Sequence, residues 1–199
     1  MTDTNNVNQV SVGKPKVGGA VFRGATTLTM PTTASETLVS GFEGMGYISE
    51  DGMKRSLTRE SAEIKDWGGE TIATPQTSKN ETVQLKFVQA LNTEVLEAVH
   101  GDTNVSGSLS SGIAITENAK ELEPKAWVVD QVLSDGRPSR LVIPNGKVTE
   151  IGDIVYKADE VIGYELTITA LPDSSGNTSY EYIGTVSGQS GGSGASGTS

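Results

Sequence analysis

The chain has 199 residues, enough for one domain with its own core and too few for two large ones. It has no cysteine and a single histidine, His100, which excludes disulfide frameworks, thiolate chemistry and a multi-histidine metal site. A formal net charge of -10 argues against ordinary nucleic-acid binding, because an acidic surface repels phosphates.

In chain order, residues 1–20 are polar, lack periodicity and read as an N-terminal arm. They have no basic start followed by an apolar run, and no later apolar stretch approaches the roughly 18 residues of a membrane span, so a soluble cytoplasmic product is expected. Residues 21–183 read as one β-rich domain. Phe22, Leu28, Leu38, Phe42, Met45 and Tyr47 are its first candidate core anchors. Glu50-Asp51-Gly52 signals a turn. Between residues 53 and 75, Leu57, Ile64, Trp67 and Ile72 are spread among charges. Two strands around Trp67-Gly68-Gly69 suggest an extended hairpin reaching away from the core, because paired glycines allow a tight turn or bulge. Pro75 to Asn80 reads as a loop.

Residues 81–91 alternate, with Val83, Leu85 and Phe87 on one side, which predicts a half-buried strand. A short helix over about 92–100 follows. Asn92 is its N-cap, Glu94 lies in its first turn and Gly101 is its stop; Leu91, Val95, Leu96 and Val99 form its apolar face. Ile113–Thr116 is a short strand. Ala126–Ser134 is strongly β, Asp135-Gly136 signals a tight hairpin, and Arg140–Ile143 is the return strand. Asn145-Gly146 reads as the next turn, and Val148–Tyr156 as one more short element. Val161–Leu171 is the longest regular alternation, and Ser179–Ile183 a final strand with Tyr180 and Tyr182 on one face. Residues 184–199 form a Gly/Ser-rich tail without charged side chains. The sum is a mainly β fold, an antiparallel sandwich or part-barrel with one short flanking helix.

Catalytic patterns are missing. A serine triad needs a histidine base, and His100 sits at the predicted helix end, where it interacts with the helix dipole. No Gly-x-Ser-x-Gly elbow, phosphate loop or calcium loop occurs, and no pair of carboxylates stands out. No cofactor, metal site or enzymatic activity is expected. The densest basic group, Lys54, Arg55 and Arg59, is too small for a nucleic-acid stripe.

The ordered segments GMGYISEDG, EIKDWGGETI, NTEVLEAVHG, LVIPNG, EIGDIVYKADEVIGYELTITALPD and SYEYI resemble the major tail (tail tube) proteins of long-tailed, siphovirus-type bacteriophages, over roughly Val12 to Ile183. The resemblance implies a β-sandwich with a flanking helix, hexameric rings whose inner sheets join into one barrel, and stacking of rings into a tail tube. It implies a structural virion protein made in the host cytoplasm. Its partners would be further copies of itself, the tape-measure protein, the tail terminator and the distal or baseplate tail proteins. DNA would pass through the lumen without specific binding. Contacts between subunits and rings are expected at Lys54, Arg55, Arg59, Trp67, Gly68 and Gly69, and in the N-terminal arm. Inner-sheet strands are expected from Met53–Ile64, Thr71–Thr74, Thr82–Val88 and the Ala126–Ile143 hairpin. A ring of six would carry roughly -60, so an acidic lumen repelling DNA is a further expectation. The competing readings are another self-assembling shell or secretion-tube subunit and, with less support, a surface adhesion or carbohydrate-binding module.

Overall fold

Alternation of apolar and polar residues sets the pleat of each long strand, and one buried face collects the core. A computed structural model describes residues 10–186. Its elements are β1 (Gly13–Pro15), β2 (Val21–Gly24), β3 (Glu43–Gly44), β4 (Ile48–Ser61), β5 (Ile64–Lys65), β6 (Thr71–Ala73), β7 (Gln76–Phe87), α1 (Thr93–His100), β8 (Val105–Ser108), β9 (Gly112–Ile115), β10 (Lys125–Leu133), β11 (Pro138–Ile151), β12 (Tyr164–Ala170) and β13 (Tyr180–Ile183). The fold is mainly β, every ladder is antiparallel, and one short helix accompanies the sheets.

The main sheet runs β3-β2-β10-β11-β12-β7-β4, with β1 added to β10 and β13 to β11; β5-β6 and β8-β9 are separate two-stranded ribbons. The long strand β11 changes neighbours along its length. Ser139–Val142 lie between β10 and β13, whereas Gly146–Ile151 pair with β12. This switch turns the sheet from one half of the molecule to the other without closing it into a barrel. Trp127, Val129, Leu141 and Ile143 from one half meet Val83, Leu85, Phe87, Leu166 and Ile168 from the other, and Val95, Leu96 and Val99 of α1 join the same core.

The helix forms where its local signals lie. The Asn92 side chain accepts a hydrogen bond from Glu94 N–H at 3.0 Å, and Gly101, at φ 97°, donates its N–H to Glu97 O at 2.8 Å. Leu91 is not on its buried face: it precedes the helix and is exposed. His100 sits at the C-terminal end, paired with the Glu117 carboxylate and set edge-on against the Tyr164 ring.

Three turn or loop expectations are corrected. Asn145-Gly146 is not a turn, since β11 runs straight through it. A Cβ on Gly146 would lie 2.6 Å from the Trp127 ring, and the Trp127 indole N–H donates to Gly146 O at 3.2 Å, so the glycine is there for close packing. Glu50-Asp51-Gly52 is not a chain reversal. It is a bulge inside β4, where the register jumps from Ile48↔Phe87 to Met53↔Leu85 and Gly52 takes φ 72°. Pro75 to Asn80 is not a loop, because β7 begins at Gln76. Beyond β11, residues 152–163 are irregular, so no separate element fills Val148–Tyr156. Residues 1–9 of the expected N-terminal arm and residues 187–199 of the Gly/Ser tail lie outside the described residues; Gly13–Pro15 pair with β10.

Candidate subunit interface

Strands β4 and β7 form a long antiparallel ladder from Met53↔Leu85 to Ser61↔Gln76. At its root β7 buries alternate residues, and beyond that every residue from Ser56 to Asn80 is exposed. At roughly 3.3 Å per extended residue, the ladder and the β5-β6 ribbon carry the tip on the order of 30 Å from the root. The tip is a turn at Asp66–Glu70. Asp66 N–H donates to Glu70 O at 2.9 Å, Gly69 N–H to Asp66 O at 3.1 Å, and Glu70 N–H to the Asp66 carboxylate at 2.8 Å. Gly69 adopts φ 89°, which L side chains rarely take. Trp67 stands fully in solvent at this turn, and Leu57, Ile64 and Ile72 are exposed along the arm.

The six residues expected at subunit contacts thus lie on one arm but not in one patch. Trp67, Gly68 and Gly69 form the tip. Arg59 is exposed on the shaft, its Nη1 donating to Gln76 Oε1 at 2.9 Å. Lys54 is exposed on the opposite face of β4 from Arg55. Arg55 turns inward at the root, where its Nε donates to Glu81 Oε1 at 2.8 Å, its Nη1 to Glu181 at 2.8 Å and its Nη2 to Ser179 Oγ at 3.0 Å.

Glu81 is the centre of that root and was not singled out from the sequence. It is buried, and the Thr178 and Ser179 hydroxyls both donate to its carboxylate. Burial alone would raise its pKa; the two hydroxyls and the Arg55 guanidinium outweigh burial and hold it below the usual carboxylate value. A signal existed: Glu81 shares the strand parity of Val83, Leu85 and Phe87, so it is a carboxylate on an apolar stripe. Through this network the arm is fastened to the segment that enters β13.

A second feature is the four-stranded segment made by the C-terminal half of β11 with β12, β7 and β4. Both of its outer edges lack a strand partner among the described residues: β4 ends the sheet, and Lys147–Ile151 pair only with β12. One face of this segment is core; the other is polar, with Thr82, Gln84, Glu165, Thr167 and Thr169 half-buried by their neighbours. Unpaired edges of this length are templates for pairing with another chain.

The model of the family described as phage tail tube protein matches residues 4–189. The chain belongs to the phage tail tube protein family. Its role is therefore that of a structural tail tube subunit, and its place is the virion. No curated protein matches the sequence. Among solved structures, the cryo-EM structure of the anti-feeding prophage cap (AFP tube terminating cap) matches with a TM-score of 0.45 at 11% identity, over 91% of this chain and 98% of that chain. Among the described residues of this tail tube protein no helix is long and apolar enough to cross a membrane, and no group of three or more His, Asp or Glu side chains is placed to hold a metal ion.

Proposed function

We propose that this tail tube protein closes into hexameric rings by pairing the open edge of β4 on one copy with the open edge of Lys147–Ile151 on the next, and that the rings stack into a siphovirus-type tail tube. The observation that carries this reading is the four-stranded segment with two unpaired edges. A head-to-tail contact between two different edges closes into a ring when its rotation fits, and closure removes both edges. The polar face of the segment would then line a channel, and the apolar face is already buried in each subunit.

The exposed arm supports stacking. Trp67, Leu57, Ile64 and Ile72 on a shaft without its own core are surplus to the monomer and suited to a neighbouring subunit. Lys54, Arg59, Gly68 and Gly69 accompany them, with Arg55 positioning the root. The residues 1–20 arm is a further stacking element in this reading, residues 21–183 the tube domain and residues 184–199 an appended tail. Tape-measure, terminator and distal or baseplate proteins would meet the two ends of the tube. Assembly takes place in the host cytoplasm, DNA passes through the lumen without specific binding, and no catalytic step is needed.

Negative-stain microscopy of the concentrated, purified protein tests this. Stacked rings of sixfold symmetry are expected. A monomer under all conditions, or decoration of a capsid lattice in place of tubes, counts against it.

A further inference from the structure

Strand β13 carries an aromatic pair that neither the arm nor the open edges use. Tyr180 and Tyr182 register against Val142 and Arg140, on the side of β11 turned away from the core residues Leu141 and Ile143. The two rings are parallel to within 4°, with centroids 6.4 Å apart, and both are half-buried. They line an open cleft of about 630 Å³, bounded on the other side by Met30 and Pro31 from the segment between β2 and β3. Both walls are fixed. The Tyr180 hydroxyl donates to Asp173 Oδ2 at 2.6 Å and accepts from Asn177 Nδ2 at 3.0 Å, and the Ser175 and Asn177 N–H groups hold the same carboxylate through Oδ1. Opposite, Arg140 anchors the covering segment through Thr33 O and Glu36 O. A cleft preformed in this way leaves little ordering cost to be met on binding.

We propose that this cleft binds a neutral oligosaccharide, with its sugar rings resting on Tyr180 and Tyr182. A pyranose has an apolar face of C–H groups and a rim of hydroxyls. Aromatic faces carry negative potential and pack well against such C–H groups. The cleft matches that division: the two rings, Met30 and Pro31 are apolar, while the Thr26 and Ser174 hydroxyls and the Asn145 amide can exchange hydrogen bonds with a hydroxylated rim. Its size falls within the roughly 300–1,000 Å³ of small-molecule sites. Asp173 is the one charged side chain lining it, so nucleic acid or an acidic polysaccharide finds no cation there. The cleft lies on the β10-β11-β13 half, away from the segment with two open edges. Its exposure on the outside of a tube rests on the ring reading above; its binding chemistry does not.

The test uses ligand-observed NMR and calorimetry on the full-chain monomer. The probes are cellotetraose, maltotetraose and tetra-N-acetylchitotetraose, with an oligogalacturonate and a polyproline peptide as contrasts. At least one of the three neutral sugars should bind at concentrations up to about 10 mM. Tyr182→Ala should weaken that binding roughly tenfold and Tyr182→Phe should keep it within about threefold, because the ring face and not the hydroxyl carries the sugar. Thr26→Arg, at an exposed lining position, should block the cleft with both tyrosines intact, which covers a Tyr182→Ala chain that folds poorly. Binding by none of the three sugars, binding that survives both Tyr182→Ala and Thr26→Arg, or preference for the oligogalacturonate or the polyproline peptide would overturn the proposal. Sedimented wild-type tubes should carry down the same sugar. Tubes that leave it in solution would put the cleft inside a contact and overturn its exterior placement while the ring reading stands; absence of tubes overturns the ring reading while binding by the monomer stands.

Discussion

A single buried pair holds much of the covering loop in place. Arg140 and Asp130 sit opposite each other in the β10-β11 ladder, and Arg140 grips the carboxylate with Nε at 2.6 Å and Nη2 at 2.9 Å. Both side chains are almost fully buried. The remaining Arg140 nitrogen, Nη1, donates to Thr33 O at 3.2 Å and Glu36 O at 2.7 Å, which fastens the segment between β2 and β3 onto the sheet. Breaking such a pair from one side leaves a charge stranded, at a cost of about 3–5 kcal/mol, whereas replacing both partners by apolar groups costs much less. Lys16 reaches the same carboxylate at 3.4 Å and softens the loss. Arg140→Met should therefore lower the unfolding free energy by about 3 kcal/mol, and Arg140→Met with Asp130→Leu by clearly less. Urea denaturation of the purified monomer reads both values, and a single variant within about 1 kcal/mol of wild type would remove the pair from this role.

At the scale of elements, the arm and its root make opposite predictions. The root depends on ionised Glu81, whose folded pKa lies below its unfolded one. Its stabilisation is present above the unfolded value, about 4.3, and is lost as pH falls through the folded value. Thermal unfolding of wild type should thus lose stability from about pH 5 downward more steeply than Glu81→Gln, which starts lower near neutrality. Parallel curves for the two proteins would exclude Glu81 as a source of the acid slope. The arm beyond the root contributes no buried residue. Replacing Ala62–Pro75 by an Asn-Gly turn between the paired Ser61 and Gln76 should leave the urea midpoint unchanged and abolish tubes. Deleting Gly68-Gly69 should act in the same direction. Trp67 reports on this optically: the other tryptophan, Trp127, is buried in the core, so a blue shift of emission on assembly belongs to Trp67. Unshifted emission in tubes would place Trp67 outside the contacts.

The same elements explain what could be read from sequence. The helix was legible because Asn92, Glu94 and Gly101 act within one or two turns, and the β10-β11 hairpin because Gly136 supplies a φ of 85° at its turn. Strand β12 was legible from strict alternation, since Tyr164, Leu166, Ile168 and Ala170 all face the core. The start of β7 was not, because alternation records a buried face and the arm has none. Gly146 misled for a different reason: a glycine demanded by the Trp127 ring looks, in sequence, like a glycine demanded by a turn. Of the candidate site, the tip could be read from Trp67-Gly68-Gly69. The division of Lys54 and Arg55 between two faces, and the Glu81 latch, depend on long-range register and on residues Thr178 to Glu181 far along the chain.

At the scale of the whole molecule, the two open edges make ring closure a matter of covalent arithmetic. The chain has no cysteine, so a disulfide can form only between residues placed there on purpose. One cysteine in the β4 edge, at Ser56, and one in the β11 end, at Lys147, Thr149 or Glu150, would face each other only between neighbouring copies. Disulfide formation requires Cα atoms within about 7 Å, so the pairing that bonds also reports the register of the new ladder. Oxidised tubes of the correct pair should give, on denaturing gels, a ladder of linked subunits that stops at six, with its top band a closed circle. The reduced monomer should give none. Pairing a cysteine at Thr149 with one at Ser110, exposed in the β8-β9 turn and off the proposed junction, should yield no such series. Tubes that assemble without any cross-link from the three β11 positions would reject the edge pairing; a ladder ending at another number would keep the edges and correct the ring.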